Sequence, residues 1–576
     1  MKILFVMRHS GYARNYESVL RQLAGEGHHI HLAVENARNK MGEDIVGERL
    51  ASECPTITVG RAPVPEDGVW TRAARISRLI VDALRYAEPQ YRQASALRTR
   101  AERTVPRTFR PFLHWVEGAG SGFARFVSRT LCGLERVIPL SADVTAFLKA
   151  QAPDALLITP LVDPASIQVD YIKSARALGI PCALGVASWD NLTNKGAIRV
   201  APDRVYVWNA AQIEEAVTLH RVPRERVVMT GAQIFDHWFS WRPSRTREEF
   251  CRTVGLDPSR PIVLYLGSSF FIAPTEADFG IRWLTALRTA PDADVAGANI
   301  LIRPHPSNAA QWGGLNLELW PRTAVWPPPG VDFFAPEFKH DFFDSLYYSA
   351  AVVGVNTSAQ IEAAIMGRIV CTVTSADFAH SQAGTLHFRH LVEGGLMEVA
   401  RDFDQHTVHL GALIRGGLNQ AERSRSFVEY FVRPFGADQP ATPRLASAIG
   451  ELAAMRVHRD NPETLPRRAA RALLYPLAWF VADMPDRRPW WVYVMRPPVW
   501  VGMQAWALPY RASHGVVLTG RRASQLQRDA AKQARRFVVE PWKEGSKHVR
   551  SRARYGLHRI RVNTRVIGAR VLRSFR

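Results

Sequence analysis

Val353-Gly354-Val355-Asn356-Thr357-Ser358-Ala359-Gln360-Ile361-Glu362-Ala363-Ala364-Ile365-Met366-Gly367-Arg368-Ile369-Val370 reads as a complete strand, turn, helix and second strand in one run. The apolar segment Ala351–Val355 stops at three small polar residues, all favourable helix N-cap types. A helix follows from about Ala359 to Met366, and Ile369–Val373 is again apolar. A helix start offers unpaired N–H groups and the positive end of the dipole, which suit a diphosphate. Glu362, one turn in, carries a carboxylate able to accept both hydroxyls of a ribose. The same residues would also serve as an ordinary capped helix with a solvated glutamate.

Working outward, the pattern repeats on both sides. Ile3–Met7, His29–Glu35, Ala155–Thr159, Cys182–Ala187, Arg204–Trp208 and Arg226–Gly231 are short apolar runs separated by helical segments. A second series holds Ile262–Leu266, Ile300–Arg303, Ala351–Val355 and Ile369–Val373. Continuous apolar runs mark parallel strands covered on both faces. Two successive series therefore predict an α/β chain of two Rossmann-like domains facing across a cleft. The expected boundaries are 1–242 for the first domain, 243–455 for the second and 456–576 for a tail. The first domain should contain a helical, basic insert at about 71–148. Its arginines (Arg72, Arg75, Arg78, Arg85 and Arg92) read as solvated helix faces, or as a surface toward an anionic partner. Trp326–Pro336 is proline-rich and reads as a loop.

Loops after strands supply the remaining candidates. Gly267-Ser268-Ser269 can present N–H and hydroxyl donors to phosphate. Arg303-Pro304-His305-Pro306 places His305 on a stiffened loop, where it can donate to a phosphate or a leaving group, and Arg303 can counter phosphate charge. Ala187-Ser188-Trp189-Asp190-Asn191-Leu192-Thr193-Asn194-Lys195-Gly196 is unusually polar after a strand. Asp190 is the first candidate for a general base, and Lys195 for neutralising negative charge. Asp-Asn and Asn-Lys-Gly are also ordinary turn sequences. His9, within Arg8-His9-Ser10-Gly11 after the first strand, is the second candidate base.

The segment around Glu362 resembles the donor-binding helix of the UDP-N-acetylglucosamine 2-epimerases and related GT-B glycosyltransferases, roughly Ser-Gly-Gly-x-Gln-x-Glu-Ala. Gln360 and Glu362 match, Asn356 stands at the serine, and Thr357 and Ser358 replace the glycine pair. Val228-Met229-Thr230-Gly231-Ala232-Gln233-Ile234-Phe235-Asp236 is similar to the Val-Thr-Gly-Asn-x-x-x-Asp closing the first domain in that superfamily. Arg303–Pro306 is similar to its His-Pro element. The resemblance implies a nucleotide-diphosphate-sugar co-substrate with Asn356, Thr357, Ser358, Gln360 and Glu362 at the donor. It also implies that no separate cofactor is needed. Retaining members carry Glu-x7-Glu, and the position eight before Glu362 is Gly354, which favours inverting chemistry. Asp292-Ala293-Asp294 and Asp402-Phe403-Asp404 have metal-binding spacing but end no convincing strand, so no metal site is expected. The implied activity is inverting, metal-independent sugar transfer to a surface polysaccharide or glycolipid acceptor. Transfer of a phospho-alcohol from a CDP donor, as in CDP-glycerol transferases, and sugar-nucleotide 2-epimerisation are alternatives. A non-catalytic GT-B-like scaffold is a third.

Charge sets the tail apart. The chain carries a net +21; residues 456–576 hold 26 basic and 7 acidic residues, leaving the rest near neutrality. Trp479, Trp490, Trp491, Trp500 and Trp506 fall among prolines there. Aromatic residues with arginine form the composition of an interfacial membrane anchor; a partner-protein surface or a disordered tail is the second reading, and nucleic acid the least favoured. Five scattered cysteines suggest neither a disulfide framework nor a zinc site. With no signal-peptide pattern and no long apolar span, the expected location is cytoplasmic, peripheral at the inner membrane face.

Overall fold

The computed structural model describes residues 1–35, 45–328 and 336–484. The first sheet contains β1 (Lys2–Met7), β2 (His29–Val34), β3 (Ile57–Arg61), β4 (Ala155–Thr159), β5 (Cys182–Gly185), β6 (Arg204–Val207) and β7 (Val227–Met229). Their order is β3-β2-β1-β4-β5-β6-β7, with every pair parallel. The second contains β8 (Ile262–Leu266), β9 (Asn299–Arg303), β10 (Thr323–Val325), β11 (Ala351–Gly354), β12 (Val370–Val373) and β13 (Met397–Ala400). Its order is β10-β9-β8-β11-β12-β13, again all parallel. Central strands such as β4 and β8 are buried at every position because helices cover both faces.

In both sheets the strand order reverses beside the first strand, between β1 and β4 and between β8 and β11. Loops leaving the carboxyl ends of strands on either side of such a reversal diverge to opposite faces and leave a crevice. The loops that stand at these two points begin at Arg8 and Pro160 in one sheet and at Gly267 and Val355 in the other.

The expected boundary at residue 455 is corrected by packing. The helix Ala441–Ala454 buries Leu445, Ala446, Ile449 and Leu452 with Ile3, Phe5, Val19 and Leu23 of the first domain. Tyr206 Oη donates to the Ala448 carbonyl at 2.7 Å. The chain thus crosses back after the second sheet. Asp236 organises that return: it accepts hydrogen bonds from Arg433 Nη2 (2.9 Å), the Thr442 amide (2.7 Å) and Thr442 Oγ1 (2.6 Å). At Gly231, where φ is +88°, an added Cβ would lie 2.7 Å from the Ala441 Cβ. The Thr230–Asp236 motif therefore joins the two domains.

The insert is helical, including Val69–Leu84, Arg110–Gly118 and Ser121–Leu134. Two of its arginines are not on solvated faces. Arg78 is buried, held by Glu135 (3.1 Å to Nε) and Asp170 (2.9 Å to Nη1). Arg85 is buried and donates to the carbonyls of Lys195 and Gly196, both at 2.9 Å. A buried guanidinium is stable only when its donors are met. Here the acceptors belong to the polar loop after β5, so the insert fixes that loop.

Candidate functional site at the domain cleft

On the second sheet the turn after β11 is built from buried groups. Asn356 Nδ2 donates to the Ser381 carbonyl at 2.8 Å, and the Asn356 amide donates to Ser268 Oγ at 3.4 Å. Gln360 is fully buried beneath the turn, and its Oε1 accepts the Thr357 amide at 3.3 Å. A Cβ at Gly354 would lie 3.0 Å from Gln360 Nε2, so only glycine fits above that side chain. The same closeness governs Gly267, whose Cβ would stand 2.8 Å from the His305 amide nitrogen. The Ser268 amide donates to both Glu276 oxygens, at 2.9 and 2.8 Å. Desolvation pushes the Glu276 carboxyl up to about 8, against the pull of those hydrogen bonds.

These contacts divide the residues picked from sequence. Ser268, Asn356, Thr357 and Gln360 are buried and brace the turn. Arg303 is a correction: its guanidinium donates to Ser345 Oγ at 3.3 Å and the Phe338 carbonyl at 3.4 Å, and lies over the Phe342 ring. Its charge is spent on the helix Pro336–Tyr348, and burial lowers its pKa to about 10. Ser269, His305, Ser358 and Glu362 keep surface. The carboxylate of Glu362 accepts no hydrogen bond among the described residues. Desolvation raises it to about 8, opposed by the charge of Arg14.

His305 is pushed down to about 4 by burial and by the same Arg14. Its Nδ1 accepts the Ser307 amide at 3.1 Å, which leaves the neutral ring's proton on Nε2. It is therefore a hydrogen-bond donor. Arg14 comes from the other domain, on the 3-10 segment Ser10–Tyr16 after β1. One arginine of the first domain thus acts electrostatically on two groups of the second.

The first-domain wall is a charge network at the end of β1 and β4. Asp163 pairs with Arg8 and with Lys195 (3.5 Å), and Lys195 Nζ donates to Tyr12 Oη at 3.3 Å. Those cations hold Asp163 below the ordinary carboxylate range despite its desolvation. Glu35, ending the loop edge of β2, is raised to about 7 by desolvation. His9 packs against Tyr12 with the rings tilted by 38° and their centroids 4.5 Å apart.

Asp190 starts the short helix Asn191–Asn194. Its carboxylate accepts from Ser188 Oγ (2.6 Å), Asn194 Nδ2 (2.5 Å) and Asn191 Nδ2 (3.4 Å). Burial works to raise its pKa, but the nearby His387 and Lys195 and these hydrogen bonds bring the net shift downward. These three bonds brace the turn, and Asp190 keeps partial exposure. His387, from the helix Leu386–Glu393 of the second domain, packs edge-on to Trp189 at 4.8 Å. It also bridges Thr193 Oγ1 (3.4 Å) and Asn356 Nδ2 (3.3 Å). A buried histidine therefore ties the Asp190 loop to the donor-side turn.

Arg14, Glu35, Asp163, Glu276 and His387 were not singled out from sequence. Arg14 and Asp163 follow strands that were recognised, a few residues further along each loop. Glu276 and His387 lie inside helices with nothing local to mark them. The two aspartate pairs have other employment: Asp292 and Asp294 bind Arg415 at 2.8 and 3.1 Å, and Asp402 caps a helix through the Gln405 amide at 2.8 Å.

No protein-family model matches the chain, and no curated protein matches it in sequence. Solved structures do. The chain is similar to the UDP-GlcNAc 2-epimerase of Neisseria meningitidis bound to UDP-GlcNAc, at 10% identity and TM-score 0.45, over 78% of this chain and 100% of that one. It is similar to a glycosyltransferase of Rickettsia africae at 10% identity and TM-score 0.45, over 78% and 98%. It is also similar to the UDP-GlcNAc 2-epimerase of Methanocaldococcus jannaschii at 12% identity and TM-score 0.43, over 78% and 100%. Two parallel sheets with matching order reversals, and a late helix returned to the first sheet, decide the architecture. The chain is an α/β protein of two Rossmann-like domains. In it the groups that interact electrostatically across the two domains are Arg14, His305 and Glu362.

Proposed function

We propose that the chain is a nucleotide-sugar-dependent glycosyltransferase whose donor lies between the Ser10–Tyr16 segment and the loops after β8, β9 and β11. The observation that carries this reading is the convergence of Arg14, His305 and Glu362 from two domains at paired switch points. Glu362, as a carboxylate, accepts the ribose hydroxyls. Arg14 and the Nε2–H of His305 meet the diphosphate, with Ser269 and the Thr357-Ser358 turn beside it. In the transfer step an acceptor hydroxyl oxygen attacks the anomeric carbon as the bond to the diphosphate oxygen breaks. The acceptor proton passes to a base, and the electron pair leaves on the diphosphate. His305 and Arg14 stabilise that charge.

His9 is taken as the base, with Asp190, which keeps some surface beside its turn contacts, as the alternative. The reading includes inverting stereochemistry without a metal, and an acceptor of the surface polysaccharide or glycolipid class at the inner face of a membrane. The test is calorimetric titration with UDP, CDP, GDP and ADP and their sugar conjugates. One base should bind and Glu362→Ala should weaken it; no binding by any nucleotide would end the reading and favour a scaffold.

A further inference from the structure

The helical insert leaves large apolar side chains uncovered. On Arg110–Gly118 and Ser121–Leu134, Trp115 is 61% exposed and Phe126 63% exposed. They belong to one aromatic cluster: Trp115 meets Phe123 edge-on at 5.4 Å, and Phe123 stacks on Phe126 at 6.3 Å. The helix Leu465–Asp483 is barer still. Only Ala478 and Ala482 are buried, while Leu473 is 81% exposed and Trp479 51% exposed. Both features belong to one lobe. Val481 and Met484 pack on the same core as Leu113, Val116 and Phe123, and Tyr475 faces Trp70 at 6.3 Å.

Charge says what covers this surface. Residues 95–136 hold eight basic and three acidic residues, net +5, and Leu465–Asp483 holds three arginines and one aspartate. Behind the aromatic cluster, the other side of Ser121–Leu134 lines a groove of about 1230 Å³. There Arg125 and Arg221 share the single carboxylate Glu88, at 3.0 and 3.9 Å. Burial lowers the Arg221 pKa, and repulsion from Arg129 adds to it. Exposed Trp and Phe beside arginines in excess is the arrangement that seats in the headgroup region of an anionic bilayer. No helix among the described residues is long and apolar enough to cross a membrane, so the lobe would lie on the surface.

We propose that the insert and the helix Leu465–Asp483 form a docking surface for an anionic lipid bilayer, with Trp115, Phe126, Leu473 and Trp479 entering the interface and the excess arginines of both elements drawn to lipid phosphate. This deepens the membrane side of the proposed function and rests on it. It takes in the described part of the tail expected from sequence, Leu465–Asp483 with Trp479, and joins it to the insert; Trp490, Trp491, Trp500 and Trp506 lie outside the described residues.

The test uses the full chain with vesicles of phosphatidylcholine alone and of phosphatidylcholine with phosphatidylglycerol. Hydrogen exchange should show protection of 110–134 and 465–483 on the anionic vesicles only. Trp115→Glu with Phe126→Glu should weaken vesicle binding at least about tenfold, since both apolar insertion and charge attraction are lost. Nucleotide titration should be unchanged in that variant, which separates this proposal from the donor reading. Unaltered vesicle affinity in the double variant, or protection confined to residues beyond 484, would overturn it and leave binding to the rest of the tail. So would a dimeric wild-type chain that the same substitutions render monomeric without loss of vesicle affinity. Failure to bind either vesicle would also overturn it.

Discussion

If Glu362 holds the ribose as a carboxylate, donor affinity must depend on pH in a way that can be worked out. Its folded pKa is about 8, from desolvation partly offset by Arg14. At pH 7 the free site is then mostly protonated, and ionising it for binding costs about 1.4 kcal/mol, one pKa unit. At pH 6 the cost is about 2.7 kcal/mol, and at pH 9 it is near zero. Affinity for the nucleotide sugar should therefore rise about a hundredfold between pH 6 and pH 9, levelling off above 8. A sugar-substituted diphosphate has no phosphate titrating in that window, and His305, near 4, stays neutral throughout. Calorimetry in buffers of different ionisation enthalpy should show close to one proton released per donor bound at pH 7. Glu362→Gln should flatten the profile and abolish the release. A wild-type affinity independent of pH, or a Glu362→Gln variant that keeps the slope, would refute the assignment, since Glu276 or Glu35 would then be the titrating group.

Arg14→Ala should weaken donor binding by about 1–3 kcal/mol and move the midpoint of the pH profile above 8, because the charge that lowers Glu362 is gone; an unmoved midpoint removes Arg14 from the site. His9→Ala should leave donor affinity intact while turnover falls by on the order of 10²–10⁴; near-normal turnover would return the base to Asp190. Stability should fall as pH rises from about 6.5 to 8, because Glu35, Glu276 and Glu362 hold protons when folded that the unfolded chain has released; below that window the buried neutral His305, His387 and His406 contribute with the opposite sign. Thermal melts across that range should show the slope lessened in Glu276→Gln, and an unchanged slope would mean that Glu276 is not protonated when folded. Arg78→Met should be destabilising, by about 3–5 kcal/mol, since buried Glu135 and Asp170 would lose the guanidinium and keep only the longer contacts to Lys173, at 3.4 and 3.7 Å; a melting curve close to wild type would show that Lys173 suffices.

Central strands were legible in the sequence because burial on both faces leaves an uninterrupted apolar signal, as at Ala155–Thr159 and Ile262–Leu266. The strands that escaped notice, β3, β10 and β13, all lie at sheet edges. Thr58 and Val59 in β3 are exposed, so the run is broken where only one neighbour is paired. Candidates were legible where a loop follows a strong strand, as at Ser269, His305 and Glu362, which keep surface at the strand ends. It was not legible where a residue's meaning depends on the other domain. Arg14 is an arginine in a short turn until Glu362 and His305 face it, and His387 is one helical histidine among several until Trp189 and Asn356 close on it. Arg303 misled because a strand-end arginine beside a histidine says nothing of which face its long side chain takes.

Asp236 gathers the outgoing and returning crossings at one spot: the Ala232 amide donates to the Val432 carbonyl at 2.9 Å, beside the bonds to Arg433 and Thr442. A body tethered by a single strand can swing and twist in any direction. One tethered by two strands pinned side by side keeps one easy rotation, about the line the pin defines. Opening to admit a donor and closing over it would then retrace a single arc, bringing Arg14 back over Glu362 in the same register each time. Cutting the pin with Asp236→Ala would leave both linkers whole while freeing the twist that they now forbid.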